Sequence, residues 1–390
     1  MAVQYIRLNP VSDLFSPAVR AYGNIAIIGD GGSAPTVGPN IATPFTNPAD
    51  AAKAFPAPAS TTTTPSPPLP PLSAAIAMAF QQTPGPTLVY GVRTATATGG
   101  PDWATALTVV SALDVQLVVL ANTVLDATSG NPGTTTTAPG AIVQLARHVA
   151  SVSTTGGDGK ERMGIAMLAK GSTDATIIKG DLANERMIYL AHKSDEDAAA
   201  AVAGVIAGYV PSVSLLLKPV NISTNLFTPA EISTINGAET FASAPAGQGV
   251  NWFTSPSLLP GGAIYMGEGY TGNPGGKKYI DIVRTIDDVS FQLKARLIRS
   301  IGALRISRSG LRSLVAQMEA VLTPYVMNEV IESYAIVVPV LILLDKVPAS
   351  LTGTELTVIQ NAHSDRLVEV LVAVEYAGAI HRLAITLKFE

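Results

Sequence analysis

Apolar positions along this chain follow two patterns that succeed one another. Short unbroken runs predict buried strands: IAII (25–28), TLVYGVRTA (87–95), VQLVVLAN (115–122), RMGIAMLAK (162–170) and ERMIYLAH (185–192). Other segments carry apolar residues three and four apart: PLSAAIAMAFQQ (71–82), DWATALTVVSAL (102–113), PGAIVQLARHVASV (139–152) and DEDAAAAVAGVIAGYV (195–210). These predict helices, because a period of 3.6 brings such positions onto one face. Helices and strands in alternation are the mark of an α/β layer.

A weakly periodic stretch follows, and then the strongest helical signal in the chain. Ile282, Ile286, Val289, Leu293, Leu297, Ile301 and Leu304 step by threes and fours, predicting a helix over 280–306. Its start is acidic and its end basic, as the helix dipole prefers. Leu311, Leu314, Val315, Met318 and Leu322 predict a second helix over 310–323, with Ser309 as N-cap and Pro324 as terminator. Beyond it the pattern predicts a strand over SYAIVVPVLILLD (333–345), a short helix near 354–361, and strands over 366–376 and 380–390. Residues 3–9 (VQYIRLN) are strand-like too. Two strand-like ends point to edges completed by another chain, since an open strand is a template for pairing.

Composition sharpens this picture. Hydrophobic residues make up 47% of the 390 and charged residues only 14%, well under the usual quarter. Such a chain must bury more surface than an ordinary monomer. A membrane is a poor sink for it: the run 335–344 is half of what a span needs, and Ala198–Val220 is broken by Gly204, Gly208, Pro211 and Lys218. The opening residues lack the charged-then-apolar order of a leader. Subunit contacts remain. The first 150 residues hold five Lys/Arg, six Asp and no Glu, and carry two Pro/Thr-rich segments, 56–72 and 128–140, that favour solvated loops. The net charge of −4 gives no electrostatic case for nucleic acid. With no cysteine, disulfides, thiolate metal sites and thiol catalysis are excluded.

Candidate chemistry is sparse. Gly29, Gly31 and Ala34 satisfy the G-x-G-x-x-G/A spacing of a dinucleotide loop after a strand. That fingerprint works only when a helix opens on the last glycines to hold the pyrophosphate. Pro35, Gly38, Pro39 and Pro44 prevent one before about residue 46. The glycines read instead as a strand-to-loop turn tolerating positive φ. GNPGGKKY has the wrong spacing for a phosphate loop, and neither H-E-x-x-H nor G-x-S-x-G occurs. His148, His192, His363 and His381 are scattered without a second ligand at metal spacing. Asp287 and Asp288 diverge by about 100° on a helix and do not form an acid/base pair. Lys294, Arg296, Arg299, Arg305, Arg308 and Arg312 form a basic cluster with two readings, a solvated face or a surface that meets an acidic partner.

The order GGKKYIDIVRTIDDVSFQLKARLIRSI, LRSLVAQMEAVLTPYV, SYAIVVP, DRLVEVLVAVEYAGAIHRLAITLKFE resembles the C-terminal region of contractile tail sheath proteins. These belong to contractile-tailed phages, R-type bacteriocins and contractile injection systems. NIAIIGDGG, FTNPADAAKAF and AIAMAFQQTPGPTLVYGVR are similar to that family's upstream elements. The resemblance implies a mixed α/β, two-domain structural subunit with no enzymatic activity, cofactor or metal. Its divisions would be an N-terminal arm (1–22), an outer α/β domain (23–215), an inner domain (216–376) and a C-terminal arm strand (377–390). Val3, Tyr5, Ile6 and Leu8, and Leu383, Ile385, Leu387 and Phe389, would be arm strands lent to neighbouring subunits. Leu367, Val370, Val372 and Val374 would line the strand that receives them. Some of the six basic residues would face the tube. The implied partners are further copies in stacked six-membered rings, an inner tube protein, and baseplate and tail terminator proteins, without nucleic acid or membrane insertion. The implied place is a virion tail or an injection particle, assembled in the cytoplasm of the producing cell. Another self-assembling shell protein, or a nucleotide-dependent enzyme built on Gly29, Gly31 and Ala34, would be the alternatives.

Overall fold

The apolar runs lie side by side in one sheet. The computed structural model describes residues 22–58, 68–97, 100–134, 137–154, 159–237, 249–259 and 261–381. It divides the chain into two units, the smaller spanning Val289–Ala377 and the larger running up to Asp288 and resuming at Gly378.

The larger unit begins with β1 (Ile25–Gly29), β2 (Ala42–Phe45), α1 (Pro48–Ala54), α2 (Pro71–Phe80) and β3 (Val89–Arg93). A small hairpin, β4 (Thr96–Ala97) and β5 (Gly100–Pro101), leads to α3 (Trp103–Ser111), β6 (Leu117–Leu125), α4 (Ala141–Thr154) and β7 (Met163–Leu168). There follow β8 (Met187–Leu190), α5 (Ala198–Gly208), α6 (Pro229–Asn236), β9 (Val250–Asn251) and a second hairpin, β10 (Phe253–Thr254) with β11 (Tyr265–Met266). The sheet order is β2-β3-β1-β6-β7-β8-β9, and only β2 runs antiparallel.

Helices cover both faces, which is why the strands read as unbroken apolar runs. Ile25, Ile27, Leu117, Val119 and Ile165 face a core shared with α1, α2 and α5. Their neighbours Ala26, Ile28, Val118, Leu120 and Ala166 face a second core with α3, α4 and α6. Every residue of α5 from Ala198 to Ile206 is buried, as expected of a helix that is apolar on all sides. Its glycines allow the close approach: a Cβ at Gly204 would lie 2.4 Å from the Ala79 carbonyl oxygen of α2.

Two of the buried charges, Asp197 and Arg162, have defined tasks. Asp197 caps α5, accepting from the Ala200 N–H at 2.9 Å, and its other oxygen accepts the Asn122 N–H at 2.7 Å. Asn122 has φ 47° and lies where the β6–β7 register shifts, so the carboxylate satisfies a donor that the ladder releases. Burial pushes this carboxyl up. The fully buried Arg162 closes the end of α3, donating to Val110 O at 2.8 Å and Leu113 O at 3.0 Å; carbonyls at a helix C-terminus favour a cation. His148 on α4 lies 3.5 Å from this guanidinium, and burial together with that charge pushes its pKa down to about 4.

α7 (Ile280–Leu297) carries residues of the larger unit up to Asp288 and of the smaller from Val289. Ile280 and Val283 enter the first core, and Arg284 donates to Tyr209 O at 2.8 Å. Asp287 accepts a bidentate pair from Arg186 at 2.5 and 2.9 Å. An acidic residue here suits the helix dipole, but among the described contacts this ion pair is the main one of Asp287.

The smaller unit continues with α8 (Arg308–Met327), β12 (Ile331–Val337), α9 (Pro339–Asp345), α10 (Gly353–Asp365) and β13 (Leu371–Tyr376). It closes two small cores, one around Leu311, Val338, Val340 and Ala362, the other around Val289, Leu322 and Ile331.

Several boundaries differ from the sequence reading. The units part at Asp288/Val289 and not at 215/216, because Phe227, Ile235 and Val250 complete the second core of the larger sheet. α7 stops at Leu297, short of 306; Ile298 and Ile301 are exposed and Gly302 turns the chain at φ 84°. α8 starts from Ser307, whose hydroxyl accepts the Gly310 N–H at 3.2 Å, and it passes through Pro324 instead of ending there. Pro324 and Ala320 are both exposed, so the carbonyl that loses its donor faces solvent. The strand expected over 333–345 ends at Val337. Pro339 holds its predecessor extended and then supplies the first turn of α9. α10 runs longer than 354–361, and Arg366 ends it in the left-handed region at φ 54°, delaying the strand expected from 366 to Leu371.

Candidate assembly interface

The glycine loop after β1 is filled by its own chain. A Cβ at Gly29 would lie 2.7 Å from the Ala121 Cβ, and one at Gly31 would lie 2.8 Å from both Arg93 and Phe55. Positive φ is confined here to Gly32, at 79°, so the turn explanation holds at that position and close packing explains the other two. The first N–H after Pro71 of α2, that of Leu72, donates to Asp30 O at 3.0 Å, and a phosphate would have to displace it. Among the described residues no group of three or more His, Asp or Glu could hold a metal, and no helix is long and apolar enough to cross a membrane.

The features suited to recognition lie in the smaller unit. β12 and β13 form an antiparallel pair with Tyr334 opposite Val374, Ala335 opposite Ala373, Ile336 opposite Val372 and Val337 opposite Leu371. Tyr334, Ile336 and Val372 turn toward the core. Val337 and Leu371 are exposed on the other face, Leu371 at 64%. Among the described residues this pair has no third strand, so each strand keeps an outer edge, and a two-stranded sheet is marginal by itself. Of the residues expected to receive an arm, Val372 and Val374 are on β13, whereas Leu367 and Val370 precede it. The residues expected to form the arms, Val3, Tyr5, Ile6 and Leu8 and Leu383, Ile385, Leu387 and Phe389, lie outside the described residues.

The basic cluster is divided by the fold. Arg308 donates to Leu344 O at the end of α9, and Arg312 pairs with Asp345 at 3.1 Å. Those two charges serve the helix end within their own unit. Lys294 and Arg296 occupy the last turn of α7, half-buried. Arg299 and Arg305 are exposed and available to an acidic surface.

One constellation had no signal in the sequence. His381, three exposed residues past Ala377, points its Nδ1 at Glu268 Oε2 (2.9 Å) and its Nε2 at Ser214 Oγ (2.8 Å). Its ring stands edge-on to Tyr279 with centroids 4.7 Å apart. The partners lie 113 and 167 residues away, which no local motif could reveal. Asp287 and Arg186, 101 residues apart, are a second pair of this kind.

No protein-family model and no curated protein matches the chain. Solved structures do. The helical sheath of the anti-feeding prophage in its contracted state matches 100% of this chain and 99% of its own, with a TM-score of 0.65 and 14% identity. The contracted sheath complex PVC, an extracellular contractile injection system, matches 100% and 97%, at 0.62 and 12%. A sheath tail protein from Desulfitobacterium hafniense matches 86% and 93%, at 0.54 and 11%.

The chain has the fold of a contractile sheath subunit. The likeness covers both units and is one of fold at these identities. Within this sheath-type fold the seven-stranded sheet, the α7–α8 helices and the β12–β13 pair are the parts described above.

Proposed function

We propose that the protein is a structural, non-catalytic subunit of a contractile sheath. In this reading copies stack as six-membered rings around an inner tube, bounded by baseplate and terminator proteins. The particle, a phage tail or an injection device, is put together in the cytoplasm of the producing cell. Contraction would drive the tube through a target envelope. The observation that carries the reading is the fold likeness to the anti-feeding prophage sheath over the whole chain. The exposed apolar side chains of the smaller unit support it: Ile298, Ile301, Met327, Ile342, Val347 and Leu371 are all surface positions that a lone soluble domain would leave wet.

The β12–β13 pair gives the reading its mechanism. A strand added to either outer edge makes several main-chain hydrogen bonds, each worth about 0.5–1.5 kcal/mol net. Strands lent by the two chain ends would knit neighbours while the domains between them re-pack, a change with two discrete arrangements. The driving free energy would be burial between subunits, with no nucleotide consumed. Arg299 and Arg305, both exposed, are the cations this reading assigns to an acidic tube.

Negative-stain electron microscopy of the purified protein tests this. Tubes or rings are expected from the full chain and none after removal of residues 382–390. Unchanged assembly by the shortened chain would refute strand exchange.

A further inference from the structure

Residues Gly378, Ala379 and Ile380 are exposed, Ile380 at 80%. The next side chain, His381, is only 11% exposed and Glu268 beside it only 8%. A single side chain is thus pinned directly after three residues in solvent. A carboxylate only accepts, so His381 Nδ1 carries a proton and donates it to Glu268. Nε2 then accepts from the Ser214 hydroxyl, whose oxygen accepts the Leu216 N–H at 3.2 Å. Both ring nitrogens and the Ser214 hydroxyl thus have partners.

The chain carrying Glu268 is held by contacts that do not involve His381. Gly267 N donates to Trp252 O at 2.8 Å and Ile280 N to Gly269 O at 2.9 Å, fixing the chain on either side of Glu268. A Cβ at Gly267 would lie 2.3 Å from the Trp252 indole nitrogen, so the backbone there sits directly on the ring. Trp252, Tyr270, Tyr279 and His381 continue as a row of ring contacts, at 6.4, 5.7 and 4.7 Å. Such a supported first contact is what a precise docking point requires.

We propose that Glu268, Ser214 and Tyr279 form a socket for His381 that fixes where the C-terminal segment departs from its own subunit. The socket is a positioning device: it fixes the point from which the following residues leave for a neighbouring copy. Its role in orienting a partner strand rests on the sheath reading; the existence of the socket does not.

The hydrogen-bond order Ser–His–Glu is also that of a nucleophilic triad, and the same experiment separates the two. Trypsin must draw an extended segment around Arg382 into its cleft, and a seated His381 prevents this. Dissociated full-length subunits are treated with trypsin, and cleavage after Arg382 is followed by mass spectrometry. His381→Ala should speed that cleavage tenfold or more and Glu268→Gln several-fold, with cleavage after Arg93 and Lys160 unchanged. Should His381→Ala unfold the chain, all sites accelerate together and Ser214→Ala supplies the reading instead. Equal rates at Arg382 in wild type and in folded variants would overturn the socket. Stoichiometric labelling of Ser214 by a fluorophosphonate would overturn it too, by showing an activated nucleophile. Electron microscopy of the same variants reports on assembly: misdirected or irregular polymers are expected. Absence of polymers from the wild type would count against the sheath reading alone, because the cleavage rates stand without it.

Discussion

Acid should destabilise the larger unit through one histidine. His148 is half-buried on α4 beside the buried guanidinium of Arg162, and its pKa falls from 6.5 to about 4, by burial first and the positive charge second. The folded form therefore refuses a proton that the unfolded chain accepts. Stability contributed by the neutral ring is complete above pH 6.5 and is lost as pH falls toward 4. With those two values, linkage at pH 4.5 costs about 2.6 kcal/mol, and roughly 2 kcal/mol once partial exposure of the ring is allowed for. His148→Gln keeps the size and an acceptor for Arg162 but cannot titrate. Urea unfolding followed by the fluorescence of Trp103 and Trp252, at pH 7.5 and 4.5, isolates the effect, since carboxylate titrations are common to both proteins. The wild type should lose about 2 kcal/mol more than the variant between the two pH values. Parallel losses would show that the ring is protonated in the folded state and that the account of its burial is wrong.

Two further perturbations address packing and charge. Arg186→Ala leaves Asp287 largely buried without its bidentate partner, the pair being 16% and 12% exposed; thermal melts should fall by the equivalent of about 3 kcal/mol, and a loss under 1 kcal/mol would mean solvent replaces the pair. Gly204→Ala places a Cβ 2.4 Å from the Ala79 carbonyl and should cost about 1–3 kcal/mol by forcing α2 and α5 apart; an unchanged melting temperature would refute the close approach.

The parallel sheet was legible because burial on both faces leaves an unmistakable trace in composition. β1, β3, β6, β7 and β8 each read as an apolar run, and α5 announced itself by having no polar side at all. Beyond residue 215 the signal faded for a physical reason. β9, β10 and β11 are two residues long, too short to show a period, so their membership in the larger unit could not be read. SYAIVVPVLILLD reads as one strand because both halves are apolar, and Pro339 divides it into the end of a strand and a helix. The basic cluster looked uniform in sequence, yet Arg308 and Arg312 close a helix end within the smaller unit. The contacts of His381 and Asp287 depend on residues about a hundred or more positions away, and only the fold brings them together.

Residues Val289–Ala377 of the smaller unit are translated between Asp288 and Gly378 of the larger one. During synthesis, therefore, Glu268 and Ser214 have already left the ribosome long before the imidazole they await. Their seat stays empty through the translation of an entire intervening body. A nascent copy thus cannot seat His381 until residues 289–377 have been made, and on the proposed reading this separates making a subunit from committing it to a polymer.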